Sequence, residues 1–247
     1  LKNNFETHGI DHLSASSTNL ASDSFALWAM RYLFNFREPT NAPMARGHAV
    51  EHGIYKGLSD EFCEPEMEAL TEFNRKTALG VNGDARAKEA ENIPLMVEQG
   101  LIALGGLTPT GYQQKIKIEL DDVPVPIIGY TDLNFDKDGH TDDIKSTTRM
   151  PSAIPAGHRR QGAIYQKALG NQAIRFVYVT PKKNAVYTLE DCGRDLEQVR
   201  QTAIRLNNFL GLSNDIEELA SLVIPNFDTF YFNTPATREK AREIYGY

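Results

Sequence analysis

The chain has 247 residues, 41% hydrophobic and 24% charged, with a formal net charge of −7. That is enough for one substantial domain or two small ones, with the composition of an ordinary globular protein. No stretch approaches the ~20 continuous apolar residues of a membrane span. Cys63 and Cys192 are too few for a disulfide framework, a four-cysteine metal site or an iron–sulfur cluster.

The opening segment, Leu1 to Glu6, lacks the charged-then-apolar layout of a secretion signal, so a cytoplasmic location is expected. Ser14, Ser16, Ser17 and Thr18 are N-cap residues for a helix over 13–36, whose apolar positions include Leu20, Phe25, Trp28 and Leu33. Trp28 reads as a core anchor. Residues 38–43 form a connector. A helix follows over 46–58, with His48, Glu51 and His52 three and four residues apart on one face. Residues 60–104 read as two helices separated by a glycine break over 79–83, the second perturbed at Pro94. Residues 104–111 form a loop without the Gly-Lys-Ser/Thr ending of a phosphate-binding loop.

Tyr112 to Leu120 alternates as a strand. Val125 to Phe135 and Thr141 to Thr148 then read as a hairpin, turned at Asp138-Gly139. Gly157 to Leu169 is a helix, 173–180 and 185–189 are strands, and 190–210 is a helix stopped at Gly211. Ser213 to Asp215 caps a helix to about Leu222, and Pro235 to Tyr245 is a final helix. The order of elements predicts a single α/β domain over 1–247, a mixed central sheet flanked by helices with extra N- and C-terminal helices.

The chemistry concentrates in the hairpin. Alternation puts Asp143 and Lys145 on one face of the returning strand and Ile144 on the other, while the hairpin brings Asp132 beside Asp143. Two adjacent carboxylates repel unless a cation lies between them, and oxygen ligands of this kind suit Mg²⁺ or Mn²⁺. From Ile144 to Leu189 there is no Asp or Glu, yet the interval carries Lys145, Arg149, Arg159, Arg160, Lys167, Arg175, Lys182 and Lys183. A basic segment directly follows an acidic hairpin.

The order of polar residues resembles the PD-(D/E)XK nuclease superfamily, and within it the RecB-type and phage-exonuclease branches. The resemblance runs from Gly47 to Tyr165. It is carried by Gly47-x-x-x-Glu51, Gly129-x-x-Asp132, Asp143-x-Lys145 and Gln161-x-x-x-Tyr165. It implies a restriction-endonuclease-like fold and a Mg²⁺- or Mn²⁺-dependent deoxyribonuclease without an iron–sulfur cluster. Glu51, Asp132, Asp143 and the carbonyl of Ile144 would hold the metal, with His48 and His52 as alternatives to Glu51 at the first position. Lys145 would orient the attacking water, and Gln161 and Tyr165 would position the strand. Arg149, His158, Arg159, Arg160 and Lys167 would meet DNA phosphates. The branch favours an exonuclease on linear DNA ends, in recombination, repair or phage DNA processing, with a recombination or annealing protein as partner and no membrane.

Three rival readings bear on the same residues. Asn134 to Lys145 has the spacing of a calcium-binding EF-hand loop, but Lys145 stands where a bidentate Glu is needed. A non-catalytic DNA-binding module of the same fold would have no need of both carboxylates and the lysine. A hydrolase of small neutral molecules would have no need of the basic helix after Gly157.

Overall fold

The computed structural model describes residues 2–38, 40–78, 83–170 and 172–246. Its centre is a five-stranded sheet in the order β1 (Gly111–Ile118), β2 (Ile127–Phe135), β3 (His140–Ser146), β4 (Ala173–Val179), β5 (Asn184–Thr188). All neighbours are antiparallel except β3 and β4, which are parallel. Parallel neighbours need a crossover, and α7 (Ala156–Ala168) supplies it. The turn between β2 and β3 depends on Gly139, whose φ of 73° is strained for any side chain.

The two faces of the sheet carry separate hydrophobic cores. On one, α1 (Asn4–Thr7), α2 (Ala15–Asp23), α3 (Phe25–Tyr32), α7 and α8 (Gly193–Leu210) pack over Ile116, Ile118, Ile127, Ile174 and Phe176. On the other, α4 (Ala42–Ser59), α5 (Pro65–Thr77) and α6 (Gly83–Leu104) pack over Leu133, Phe135, Ile144, Val177 and Val179. β4 shows the cause plainly, since Ile174, Phe176 and Tyr178 enter the first core while Val177 and Val179 enter the second. After α8 come α9 (Ile216–Ser221), a 3₁₀ turn over Phe230–Phe232 and α10 (Pro235–Tyr245).

Several elements differ from the sequence expectation. The helix expected over 13–36 is two helices, broken at Ser24, whose extended backbone (φ −153°, ψ 86°) interrupts the ladder. Trp28 is fully buried, stacked on Phe25 at 5.6 Å and on Tyr32 at 5.4 Å. The helix expected from Arg46 starts at Ala42, because the Asn41 side chain accepts from the Met44 N–H and Pro43 fits a first turn. Pro94 does not interrupt α6. The glycine break expected over 79–83 lies, apart from Gly83, outside the described residues. The short α1 and the 3₁₀ turn were not anticipated. The EF-hand reading falls because its loop is flanked by β2 and β3 rather than by helices.

Candidate active site

β2 and β3 pair with Leu133 opposite Asp142, so the next step along the ladder sets Asp132 opposite Asp143. Both are buried, Asp143 completely. The Ile144 N–H donates to Oδ2 of Asp132 at 2.8 Å. Lys145, two residues past Asp143 on the same face, places Nζ 2.5 Å from Oδ1 of Asp143 and 3.1 Å from Oε1 of Gln161. The Gln161 amide donates to Oδ2 of Asp143 and to the Tyr165 hydroxyl, each at 2.7 Å, and that hydroxyl donates to the Tyr130 carbonyl at 2.7 Å. One turn of α7 is thereby fastened to both carboxylate strands. Gly129 permits the approach, because a Cβ there would lie 3.1 Å from Cε1 of Tyr165.

Glu51 reaches the same place from α4, on the other core. Arg46 pins that helix: its guanidinium donates to Oγ and the carbonyl of Ser146 at 3.3 Å, and it pairs with Glu89 of α6 at 2.5 Å. Glu51 is buried, and its carboxylate accepts from the side-chain amide of Gln113.

Gln113 is a residue the sequence reading missed. The ladder places it opposite Asp132, between the pairs Tyr112–Leu133 and Gln114–Thr131. Its φ is 50°, a left-handed conformation rare for a side-chain-bearing residue within a strand. In a regular strand Tyr112, Ile116 and Ile118 would share a face. Here Tyr112 packs against the second core and the two isoleucines enter the first, so β1 changes face between Tyr112 and Ile116, and its partner β2 changes face between Ile127 and Leu133. Regular alternation in 112–120 gives no hint of this kink.

The electrostatics follow from burial. Asp132 is driven well above the usual carboxylate range, first by desolvation and then by the charges of Asp143 and Glu51, against the opposing pull of Lys145 and the Ile144 N–H. Glu51 is raised by burial and Asp143, against the Gln113 hydrogen bond. Asp143 is raised by burial, against the attraction of Lys145. Burial pulls Lys145 down, but Asp143 and Asp132 outweigh it and the ammonium is held. Three carboxylates thus face one lysine.

Among the described residues no three His, Cys, Asp or Glu side chains stand preassembled around one cation point. Each of the three carboxylates is engaged by a protein donor: Gln113 on Glu51, the Ile144 N–H on Asp132, and Lys145 and Gln161 on Asp143. The donor set still fits a hard divalent cation, being three carboxylates whose summed charge exceeds that of Lys145. The Ile144 backbone lines the same cleft while its side chain packs into the second core.

Glu51, Gln113, Asp132, Lys145, Gln161 and Tyr165 line a cleft of about 1010 Å³, and the fully buried Asp143 lies beneath it. The structure distributes the remaining anticipated residues unevenly around it. Arg149 is exposed on the rim, as are His48 and Lys115. His52 turns toward α5, 3.6 Å from Glu68. His158 lines the cleft with Nδ1 2.7 Å from the Tyr178 hydroxyl. Burial and the nearby Lys145 lower its pKa to about 4, so its ring is neutral at pH 7. Arg159 faces away, bonded to Asp195 at 2.8 and 3.0 Å and to the carbonyls of Glu190 and Asp191. Arg160 bonds Asn19 at 2.6 Å, and Lys167 is exposed near the far end of α7. The anticipated cationic row along α7 is therefore not a single surface. Consecutive helical residues point about 100° apart, and 158, 159 and 160 meet three different neighbours.

The mixed sheet flanked by helices recurs in a solved protein. A solved protein from Eubacterium rectale described as a "putative exonuclease" superposes with a TM-score of 0.55, covering 93% of this chain and 88% of that one at 12% identity. At that identity the likeness concerns the fold. A second solved protein, SSO0001, has a TM-score of only 0.37 at 15% identity, covering 69% of this chain and 78% of that one. No protein-family model and no curated protein matches the chain. No helix among the described residues is long and apolar enough to cross a membrane.

Proposed function

We propose that this chain is a divalent-metal-dependent deoxyribonuclease of the PD-(D/E)XK type, acting as an exonuclease on linear DNA. The observation that carries the reading is the convergence of Glu51, Asp132 and Lys145 on one cleft, with the fully buried Asp143 bonded to Lys145 and Gln161 just beneath it and Tyr165 bonded to Gln161. The fold shared with the Eubacterium rectale protein supports the same class, and that protein's description supports the exonuclease choice.

Glu51, Asp132, Asp143 and the Ile144 carbonyl would hold Mg²⁺ or Mn²⁺. The bound cation would supply a water of lowered pKa and charge neutralisation at the scissile phosphate. Lys145 stays protonated beside Asp143, so it serves as a fixed positive charge for the developing phosphorane oxygens and as a hydrogen-bond donor to the attacking water. Gln161 holds both Asp143 and Lys145, which fixes the angle between carboxylate and ammonium. Tyr165 keeps its proton, because burial and then the charge of Asp143 push its pKa up, and it anchors Gln161 to β2. Arg149 and Lys115 on the rim would meet flanking phosphates in a sequence-independent, salt-sensitive way.

The test is degradation of linear DNA labelled at the 5′ or the 3′ end, single- and double-stranded, with EDTA, Mg²⁺ or Mn²⁺. Asp143→Ala and a closed circle serve as controls. Metal-dependent loss of label from linear DNA alone, absent in the variant, is the expected result. Cleavage of circles would move the protein to the endonucleases. Binding without cleavage under any metal would favour the non-catalytic module.

A further inference from the structure

Beside the catalytic cleft lies a second groove, of about 470 Å³, between α2, α7 and α8. Three arginines face it: Arg160 from α7, and Arg194 and Arg205 from α8. Gln198, Thr202 and Ser22 add neutral donors. Arg194, Gln198, Gln201, Thr202 and Arg205 recur at three- and four-residue spacing, so they form one stripe along α8. Among the described residues the side chains of Arg194 and Arg205 have neither an ion pair nor a hydrogen bond. The one acid lining the groove, Glu197, is taken up by Arg200 at 2.8 and 2.9 Å and by Gln201 at 2.9 Å. Those hydrogen bonds hold it at a pKa of about 2. Asp23 lies nearby, 4.0 Å from Arg160. The groove thus gathers unspent positive charge on a chain whose net charge is −7.

Its position supplies the second argument. Asn19 lines the catalytic cleft, accepts from Nε of Arg160 at 2.6 Å and donates to the Gly157 carbonyl at 2.9 Å. Ser22, one turn further along α2, lines the basic groove and reaches Thr202 of α8 at 3.4 Å. A single helical turn, about 5 Å, therefore separates the two surfaces. From Arg194 to Arg205 the stripe is about 16 Å long, the axial span of roughly five nucleotides in one strand of a duplex.

We propose that this groove holds the sugar–phosphate backbone of the DNA several nucleotides away from the scissile bond. The proposal deepens the nuclease reading and rests on it. Phosphates are tetrahedral anions spaced along a flexible chain, and guanidinium groups with hydroxyl and amide neighbours bind them through charge-assisted, often bidentate bonds. Such contacts carry affinity and register but no sequence information. A DNA end long enough to reach the groove would be gripped there while its terminal phosphodiester lies over Asp132 and Asp143.

The experiment compares the full chain with Arg194→Gln/Arg205→Gln and with the charge-retaining Arg194→Lys/Arg205→Lys. Binding of fluorescent DNA is followed by anisotropy in EDTA, across a salt series, for a dinucleotide, too short to span both the cleft and the groove, and for a duplex of about 30 base pairs. The Gln variant should bind the long duplex about tenfold or more weakly, with a log–log salt slope smaller by roughly two. It should bind the dinucleotide like wild type, and the Lys variant should recover most of the loss. Unchanged affinity and slope on the long duplex, with wild type binding and cleaving normally, would overturn the groove alone. Equal loss on the dinucleotide and the duplex would overturn its separateness from the catalytic cleft. A wild-type protein that neither binds nor cleaves DNA would overturn the nuclease reading and the groove with it.

Discussion

Replacing Asp132 by Asn should stabilise the metal-free protein at alkaline pH and destabilise it relative to wild type once metal is added. Continuing the register past the last pair, Leu133–Asp142, sets Asp132 across from Asp143, where side chains of an antiparallel pair stand about 5 Å apart. At an effective dielectric constant of about 20, two unit charges at that distance repel by about 3 kcal/mol. Glu51 adds to this repulsion and Lys145 offsets it, leaving a net gain of about 1–3 kcal/mol when the charge is removed. The Ile144 N–H keeps an acceptor, because Asn also has a carbonyl oxygen. For a chain of this size that corresponds to a rise in Tm of about 3–10 °C. The pH dependence has a definite sign. Asp132 has a raised pKa in the folded state, so its contribution is fully present below the unfolded value, near 4, and is lost as pH rises through the folded value. In EDTA the wild-type Tm should fall as pH rises from about 4 into the alkaline range, and that of Asp132→Asn should fall less. With saturating Mn²⁺ at the higher pH the order should invert, since a cation at about one hundred times its Kd adds about 2.7 kcal/mol to wild type. Thermal melts in EDTA and in Mn²⁺ measure all of this. A variant equally destabilised at both ends of that range, with no Mn²⁺ shift in wild type, would refute the account of three carboxylates competing for one lysine.

Other substitutions separate chemistry from support. Lys145→Ala should lower the cleavage rate by about 10²–10³-fold while DNA affinity measured in Ca²⁺ stays close to wild type; parallel losses in both would place Lys145 in binding instead. Gln113→Gly should raise Tm slightly, by relieving a left-handed backbone that costs about 1 kcal/mol or more, yet lower activity by freeing Glu51. A gain or loss in both together would remove the link between Gln113 and Glu51. Arg159→Ala should cost about 1–3 kcal/mol of stability by leaving Asp195 and two carbonyls without their donor, with DNA affinity per folded molecule unchanged. Weaker DNA binding with an unchanged urea midpoint would restore Arg159 to the interface. Trp28→Ala should cost about 3–5 kcal/mol in urea melts, because its ring is fully enclosed.

The hairpin was legible because its signals are local. Asp138-Gly139 specifies the turn, the turn fixes the register, and the register alone puts Asp132 across from Asp143. Period-3.6 patterning likewise sufficed for α7, α8 and α10, and the pairing of Gln161 with Tyr165 needs only their four-residue spacing. Helix beginnings were read less well where a cap competed with composition. Asn41 with Pro43 outweighs the connector-like look of 38–43, and Ser24 splits an apolar run that shows no break in hydrophobicity.

What escaped the sequence lies in contacts between elements distant along the chain. Whether Arg159 meets DNA or Asp195 depends on where α8 docks, and Asp195 is 36 residues away. No local signal in the sequence singles out Arg194 and Arg205, and only the packing of α8 against α2 makes them one wall of a groove beside the cleft. Gln113 is the sharpest case. Its residue type is unremarked in a strand, but Glu51 comes from a helix on one core and Asp132 and Asp143 from the sheet, and they meet where β1 and β2 change sides. Gln113 lies at that place in a left-handed conformation, and its amide donates to Glu51. The strain is local, whereas its return is the assembly of carboxylates from both layers of the fold in one cleft. A regular strand at 111–118 would satisfy every sequence signal in that segment and would leave Glu51 without its donor.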